Sequence, residues 1–286
     1  MPDDKMISNG AIQISAQCFG STGDEPIVLV MGATASMLWW PEALCRMLAE
    51  AGHHVIRYDN RDTGRSTTGR SGEVAYNVED MAGDLFAVMD GYDLPAAHVA
   101  GMSLGGFIGQ MAALMRPERV KSLTLIGAQP LGGADEPLPG ISDRFTEHFA
   151  RLADLDWSDR PAVSDFLLEI ARLSAGNGHA FDKASARARI EAEIARAIDM
   201  KSAFNHGMVS TRENWDGRIS DIACPVLVIH GDDDPVLPLP NGEAIARLVP
   251  GAKLSILEGT GHEIHDGDLE QIACEMTRFI GGQRGD

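Results

Sequence analysis

Ser103 stands in a pentapeptide that could make its hydroxyl a nucleophile, because residues 101–105 read Gly-Met-Ser-Leu-Gly. An apolar run at 97–100 precedes the pentapeptide, and a helical pattern at 107–115 follows it. The glycines let the chain turn tightly from strand to helix without Cβ clashes, which leaves the serine hydroxyl exposed. The pentapeptide alone also fits a surface turn that happens to contain serine. Its position between a strand and a helix favours a serine nucleophile.

A serine hydroxyl is a poor nucleophile at neutral pH, so this chemistry requires a histidine base and a carboxylate that orients it. A buried-strand pattern at 225–230 leads into three consecutive acids, Asp232, Asp233 and Asp234. Pro235 holds the residue before it in an extended conformation, which favours Asp234 as the orienting carboxylate. Asp232 and Asp233 stay open as alternatives, although solvated loop charges or turn formers have the same pattern.

His262 is the candidate base, because it follows a strand pattern at 253–257 and a Gly-x-Gly loop at 259–261. His265 is the alternative, although it lies where the closing helix should begin. The other histidines, His179 and His206 among them, are interpreted as surface, strand-edge or cap residues. None has the partner spacing of a metal ligand, so the sequence predicts no metal site.

Acyl transfer also needs backbone N–H donors for the negative charge that develops on the carbonyl oxygen. Leu104, the residue after the nucleophile, supplies one donor. An apolar strand at 27–31 turns through Gly32 towards a helix, and Ala33 in that turn is the expected second donor. Trp39 and Trp40 follow the turn, where an indole could pack in the core or line the acyl pocket.

These motifs resemble the α/β-hydrolase superfamily, whose catalytic residues follow the chain order Ser, Asp, His. Three segments narrow the resemblance to the aclacinomycin methylesterase subgroup, which removes a methyl ester from anthracycline polyketides. They are residues 30–32 (Val-Met-Gly), 57–67 (Arg-Tyr-Asp-Asn-Arg-Asp-Thr-Gly-Arg-Ser-Thr) and 101–103 (Gly-Met-Ser). The resemblance covers about residues 10–128 and 220–280 and leaves out the middle of the chain, which is expected to cover the substrate. It therefore supports the mechanism better than the identity of the substrate.

Carried over by position, the resemblance implies a triad of Ser103, Asp234 and His262 with Ala33 and Leu104 as oxyanion donors. Much of the superfamily has His-Gly where residues 31–32 of this chain are Met-Gly, so any role of that histidine is absent here. The charged residues of segment 57–67 are expected to brace the floor of the site by charge-assisted hydrogen bonds.

The charge of the chain excludes several classes of partner. Its 286 residues include 24 basic and 42 acidic side chains, a formal net charge of −18, which disfavours nucleic acid and anionic membranes. We expect no phosphate-binding glycine loop, no secretory signal and no membrane-spanning run. The four cysteines lack metal or redox spacing and are expected to be buried thiols in a reducing cytoplasm, with disulfides as the alternative. The predicted partner is a small-molecule ester, and homo-oligomerisation stays open.

Short apolar strands alternate with amphipathic helices along most of the chain, a pattern typical of a mostly parallel sheet covered by helices. Together with the resemblance, it predicts an α/β-hydrolase fold with an eight-stranded sheet. Residues 131–140 are rich in glycine and proline, and only helical patterns follow them. We therefore expect core segments at 1–129 and 221–286 and a helical cap at 130–220, inserted after the sixth strand. Strand patterns lie at 12–19, 27–31, 54–58, 97–101, 120–127, 225–230 and 253–257, and helical spacing at 37–51, 78–89, 104–115, 239–248 and 269–280.

The cap is rich in large apolar side chains that could surround a substrate. A helix is predicted over 184–200, with Ile190, Ile194 and Ile198 on its apolar face. The predicted lining of the substrate pocket is Trp39 and Trp40 from the core with Phe145, Phe166 and Phe204 from the cap. Phenylalanines at helical spacing more often form the core of the cap itself, which is the alternative.

The sequence therefore predicts a serine hydrolase that cleaves carboxylic esters of neutral or hydrophobic small molecules through an acyl-enzyme, without a cofactor. An anionic substrate would meet like charge and lose its hydration in an apolar pocket. A cofactor-free C–C bond hydrolase, lactonase or perhydrolase would share every motif. A non-catalytic small-molecule receptor on the same scaffold is the second alternative.

Overall fold

An eight-stranded sheet forms the centre of the computed structural model, which describes residues 4–134 and 136–282. Its strands are β1 (Lys5–Asn9), β2 (Ile12–Phe19), β3 (Glu25–Val30), β4 (His53–Tyr58), β5 (Ala97–Met102), β6 (Val120–Ile126), β7 (Val226–Gly231) and β8 (Lys253–Leu257). They lie in the order β1-β2-β4-β3-β5-β6-β7-β8. The pairs β1·β2 and β2·β4 are antiparallel, and the other five pairs are parallel. The predicted eight-stranded, mostly parallel sheet is confirmed.

The central strands bring the candidate site together at one edge of the sheet. Every residue of β5 is buried, as is all of β3 except Glu25, which explains their continuous apolar runs. Val30 at the end of β3 pairs with Gly101 near the end of β5. Because the carboxyl ends of parallel strands share one edge, the loops after β3, β5, β7 and β8 converge there.

Five helices cover the two faces of the sheet. The apolar faces of α1 (Glu42–Glu50) and α8 (Leu269–Gly281) pack on one side. Those of α2 (Val78–Gly91), α3 (Leu104–Met115) and α7 (Pro240–Leu248) pack on the other. Between β6 and β7 the chain forms α4 (Asp143–Ala150), α5 (Arg160–Ser174) and α6 (Lys183–Arg196). Side chains of α5 and α6 make a third apolar cluster of their own.

Three elements differ from the sequence prediction. The pattern predicted no strand at β1, because only Ile7 among its five residues is buried at this edge of the sheet. The helix predicted over 37–51 is divided, since Pro41 interrupts it between a single helical turn and α1. The helix predicted over 184–200 ends at Arg196, where Ala197 turns to an extended conformation, and Ile198 is 63% exposed.

A buried charge pair attaches α6 to the core. Arg196 contacts the carboxylate of Asp59, which follows β4, and its Nη2 lies 3.0 Å from Oδ2 of Asp4. Burial raises the pKa of Asp59, and the guanidinium of Arg196 opposes this shift. Arg196 thus compensates the negative charge of the buried Asp59 carboxylate only while α6 stays docked.

The domain boundaries at 129–130 and 220–221 stay a prediction.

The cysteine side chains differ in burial from what the sequence led us to expect. All four cysteines are unpaired, and only Cys45 is buried, so the expectation of buried thiols is wrong for Cys18, Cys224 and Cys274. None of the described helices combines the length and the apolar character needed to cross a membrane.

Candidate active site

Ser103 occupies the turn between β5 and α3 in a backbone conformation that few residues adopt, with φ +52° and ψ −119°. Such a backbone costs about 1–3 kcal/mol and persists only where its surroundings enforce it. The Ser103 N–H donates to the carbonyl of Ile126 at 2.9 Å, which fixes the turn against the end of β6. Ser103 borders a cavity at this edge of the sheet.

Three positions around Ser103 require glycine, because a β carbon at any of them would collide with a neighbouring segment of the chain. A Cβ on Gly101 would lie 2.2 Å from the carbonyl oxygen of Gly105, and one on Gly105 would lie 2.0 Å from that of Val30. A Cβ on Gly106 would lie 2.6 Å from the Cβ of Ala128. The glycines therefore permit α3 to start in contact with β3 and β5.

His262 and Asp234 form a hydrogen-bonded pair beside the cavity. Nδ1 of His262 lies 2.7 Å from Oδ2 of Asp234, whose Oδ1 accepts the N–H groups of Val236 and Leu237, both at 2.8 Å. The aspartate is buried, and 12% of the His262 side chain is exposed. A carboxylate can only accept, so the proton is assigned to Nδ1, which leaves Nε2 as a base. Asp234 and His262 therefore have the hydrogen bond that orients a histidine base in such a site.

The alternative candidates make different contacts. Asp232 accepts the N–H of Gly259 at 2.6 Å, and Asp233 accepts the N–H and the side-chain amide of Asn177 at 2.9 and 2.6 Å. Both carboxylates thus accept hydrogen bonds from neighbouring loops. His265 accepts the N–H of Gly267 at 3.0 Å. In the described part of the chain, Asp234 is the only one of the three acids bonded to His262.

Two backbone N–H groups next to Ser103 are candidates for the oxyanion hole. Within residues 4–134 and 136–282, neither Ala33 N–H nor Leu104 N–H donates to another protein group. A Cβ on Gly32 would lie 3.1 Å from the Cβ of Ser103, so the turn after β3 passes close to the serine. Thr34 in this turn has φ +63°, an uncommon value for a β-branched residue.

A cavity of about 470 Å³ lies over Ser103 and His262. Most of its wall is apolar and comes from the segment between β6 and β7. Ala33 and three of the predicted lining residues border this cavity, namely Trp39, Phe145 and Phe204. The shape suits a medium-sized organic molecule.

Trp40 and Phe166, the other two predicted lining residues, do not border the cavity. Trp40 is fully buried in the apolar cluster between the sheet, α1 and α8. Phe166 packs inside the cluster of α5 and α6, where its ring stacks on His148 with centroids 4.3 Å apart. Both predictions are corrected, because an apolar side chain at these positions can face either an internal cluster or the cavity, and the sequence pattern does not distinguish the two.

Glu193 is a wall residue that the sequence reasoning missed. It is fully shielded on α6 and accepts the N–H of Ser36 at 2.9 Å and the Ser36 hydroxyl at 2.6 Å. Burial raises the pKa of its carboxyl to about 7, with the Ser36 hydrogen bonds opposing the shift. A signal existed in the sequence, because Glu193 lies three residues after buried Ile190 and four before Ala197, on the apolar face of the helix.

Three side chains near His262 could offer ligands to a metal ion, although the sequence predicted no such site. Ligand atoms of His179, His265 and Asp268 all lie within 4.8 Å of one another. Nε2 of His179 is 2.9 Å from Oδ1 of Asp268, and the two imidazole rings stack 4.0 Å apart. This hydrogen bond and stack join the segment between α5 and α6 to the loop after His262.

Comparison with known proteins places these features in a family. A sequence profile described as alpha/beta hydrolase fold matches residues 25–269. The chain is 34% identical to the rhodomycin D methylesterase of Streptomyces peucetius, over 96% of this chain and 98% of that protein. The solved esterase of Exiguobacterium antarcticum has a TM-score of 0.77 at 20% identity, covering 98% of this chain and all of that one. A meta-cleavage product hydrolase from Pseudomonas fluorescens also has a TM-score of 0.77 at 20% identity, with 97% of each chain covered. The resemblance and fold class read from the motifs are confirmed.

Asparagine substitutions at the three acids are expected to separate their roles. Asp234→Asn should lower the rate of ester hydrolysis by about 10³–10⁴-fold, because an amide favours the wrong tautomer of His262. Asp232→Asn and Asp233→Asn should each stay within about threefold of wild type, since both contact only loops. Steady-state kinetics on one activated ester, with thermal unfolding as the folding control, measures this. A comparable loss at Asp232 or Asp233 would contradict the assignment.

Removing the charge of Glu193 is expected to change how stability depends on pH. A carboxyl whose pKa is raised in the folded protein binds more protons folded than unfolded, so its contribution to stability is lost as pH rises from about 4.5 to about 7. Glu193→Gln keeps the shape and cannot ionise. The Tm of the variant relative to wild type should therefore rise between pH 5 and pH 8. A difference in Tm between variant and wild type that does not change with pH would contradict a raised pKa for the Glu193 carboxyl.

Proposed function

The chain belongs to the α/β-hydrolase family, and we propose that it hydrolyses carboxylic esters with Ser103 as its nucleophile. The observation that carries this proposal is a strained, accessible serine that borders the same cavity as a histidine hydrogen-bonded to a buried aspartate. The methylesterase at 34% identity supports ester chemistry, because the match includes the whole segment between β6 and β7.

The proposed reaction follows from the protonation states of the three side chains. Nε2 of His262 takes the hydroxyl proton as Ser103 Oγ attacks the ester carbonyl. The carbonyl oxygen becomes an oxyanion that accepts the N–H groups of Ala33 and Leu104. The tetrahedral intermediate collapses when His262 returns the proton to the leaving alcohol, which produces an acyl-enzyme. Water, deprotonated by His262, then releases the carboxylic acid and restores Ser103.

Asp234 serves this cycle by charge and orientation. The imidazolium that forms on His262 in both half-reactions is stabilised by the buried carboxylate 2.7 Å from Nδ1. Two backbone N–H groups hold the other oxygen of Asp234, so the carboxylate keeps its direction while the ring changes charge.

We propose neutral or hydrophobic esters as the substrates, with methyl esters of aromatic polyketides as the first compounds to assay. The cavity wall is mainly apolar. In addition to His262 and His265, its ionisable side chains are those of four acidic residues and Arg189. The guanidinium of Arg189 lies 5.3 Å from the Trp39 ring and also contacts Asp266, so it already has partners. The rhodomycin D methylesterase, whose name states methyl ester cleavage, supports the choice of methyl esters.

C–C bond hydrolysis is the second candidate, because a meta-cleavage product hydrolase has the same fold over 97% of the chain. Turnover of a vinylogous diketone in the absence of ester turnover would favour it. Binding of a ligand without any turnover would favour a receptor. Cytoplasmic location stays a prediction from the sequence, and self-association stays open.

Replacing the proposed nucleophile is the direct test. Ser103→Ala should lower kcat for ester hydrolysis by at least a hundredfold with little change in Tm, because only a small side chain in a turn is lost. A fluorophosphonate probe should label wild type at Ser103 and leave the variant and heat-denatured protein unlabelled. Labelling at a different residue, or a variant that keeps more than about a hundredth of kcat, would place the nucleophile elsewhere.

Matched substrate pairs test the proposed preference for neutral esters. An ester with a methyl group on its acyl part should have a kcat/KM at least about tenfold higher than its analogue with a free carboxylate or phosphate there, since the anion loses hydration and faces acidic side chains. The alcohol part is kept constant, so leaving-group ability cannot account for the difference. Faster turnover of the anionic member would contradict the proposal.

A further inference from the structure

The turn that carries Ala33 is held by side chains from outside the sheet. Thr34 N–H donates to Nδ1 of His206 at 3.1 Å, and Ser36 N–H donates to Glu193 at 2.9 Å. Met37 N–H donates to Oδ1 of Asp59 at 2.9 Å. His206 and Glu193 both belong to the segment between β6 and β7. The backbone next to Ser103 therefore depends on contacts more than 150 residues away in sequence.

The ring of His206 lies between two backbone groups that determine which of its nitrogens carries the proton. It is buried in the helical turn Ser202–Met208, and its Nε2 lies 2.7 Å from the carbonyl oxygen of Arg61. A carbonyl only accepts and an N–H only donates, so these partners assign a neutral ring with its proton on Nε2. Burial lowers the pKa of His206, which agrees with a neutral ring.

The hydrogen bond to Thr34 constrains the oxyanion donor through one peptide plane. The N–H of Thr34 belongs to the same peptide group as the carbonyl of Ala33, so fixing it limits rotation about both neighbouring Cα atoms. Thr34 has φ +63°, a conformation that a β-branched residue leaves unless its surroundings hold it. If the turn relaxed, Ala33 would rotate and its own N–H would no longer face the position beside Ser103.

We propose that His206 is a positioning residue for the oxyanion hole: its Nδ1 holds Thr34 N–H and so keeps Ala33 N–H directed at the carbonyl oxygen of the substrate. This inference rests on the proposed serine esterase function. It also makes the segment between β6 and β7 part of the catalytic arrangement, because docking of that segment and formation of the oxyanion hole share one hydrogen bond.

Two substitutions separate the two hydrogen bonds of His206. An asparagine amide places its oxygen near the position of Nδ1, so His206→Asn keeps an acceptor for Thr34 N–H and loses the donor to Arg61. A glutamine amide places its nitrogen near the position of Nε2, so His206→Gln keeps the donor to Arg61 and loses the acceptor for Thr34. Each variant loses one buried hydrogen bond, and similar decreases in Tm are expected.

The kinetics should differ although the stabilities match. His206→Gln should lower kcat at least about tenfold with KM within about threefold, because the oxyanion donor acts in the transition state. The rate of phosphonylation by a fluorophosphonate should fall in parallel. His206→Asn should recover most of the kcat that His206→Gln loses. Equal losses of kcat in both variants, or losses that follow the Tm, would overturn the proposal.

A measurement on the wild-type protein applies if either variant fails to fold. The ¹⁵N chemical shifts of the His206 ring report which nitrogen carries the proton, and Nδ1 is expected to be unprotonated at pH 7.5. A proton on Nδ1 would leave Thr34 N–H without its acceptor and would overturn the proposal. If Ser103→Ala still hydrolyses esters, the proposed function is overturned as well. If Ser103→Ala is inactive but the two His206 variants have equal kcat, only the role of His206 is overturned.

Discussion

The close approach of strands β3 and β5 and the start of helix α3 beneath Ser103 is the constraint on which the rest of the site depends. Val30, Gly101 and Gly105 approach so closely that no β carbon fits at either glycine, and this packing forces Ser103 to φ +52°. The same contact brings the turn after β3 beside the serine, so nucleophile and candidate oxyanion donors are positioned together. A strained conformation of this kind is stable because the buried sheet around it cannot relax without losing its own pairing.

The segment between β6 and β7 contributes more than a cover for the cavity. Glu193 and His206 bind backbone N–H groups of the turn after β3, and Arg196 compensates the buried charge of Asp59, which itself binds that turn. Undocking this segment would remove the acceptors of the Thr34 and Ser36 N–H groups and the cation beside Asp59, which is costly. We therefore expect variation in this segment to change catalytic rate as well as substrate preference.

Local patterns predicted the parts of the fold that are determined locally. The strand runs, the glycines of the elbow and the loops that bear Asp234 and His262 are each contained within about ten residues, and the mostly parallel sheet is confirmed. The roles of Glu193 and His206 depend on contacts between residues more than 150 positions apart. Strand β1 was missed for a different reason, because only one of its five residues is buried. Trp39 and Trp40 are adjacent in sequence, yet only Trp39 borders the cavity, because the packing of α1 decides which indole is buried.

The central claim is that Ser103 attacks an ester whose developing charge is bound by Ala33 and Leu104. A crystal structure of the protein inactivated by a p-nitrophenyl alkylphosphonate tests it most directly, since the phosphonyl group imitates the tetrahedral intermediate. We expect phosphorus bonded to Ser103 Oγ and one phosphonyl oxygen about 2.7–3.1 Å from the backbone nitrogens of both Ala33 and Leu104. An adduct on another residue, or a phosphonyl oxygen bound by neither nitrogen, would contradict it.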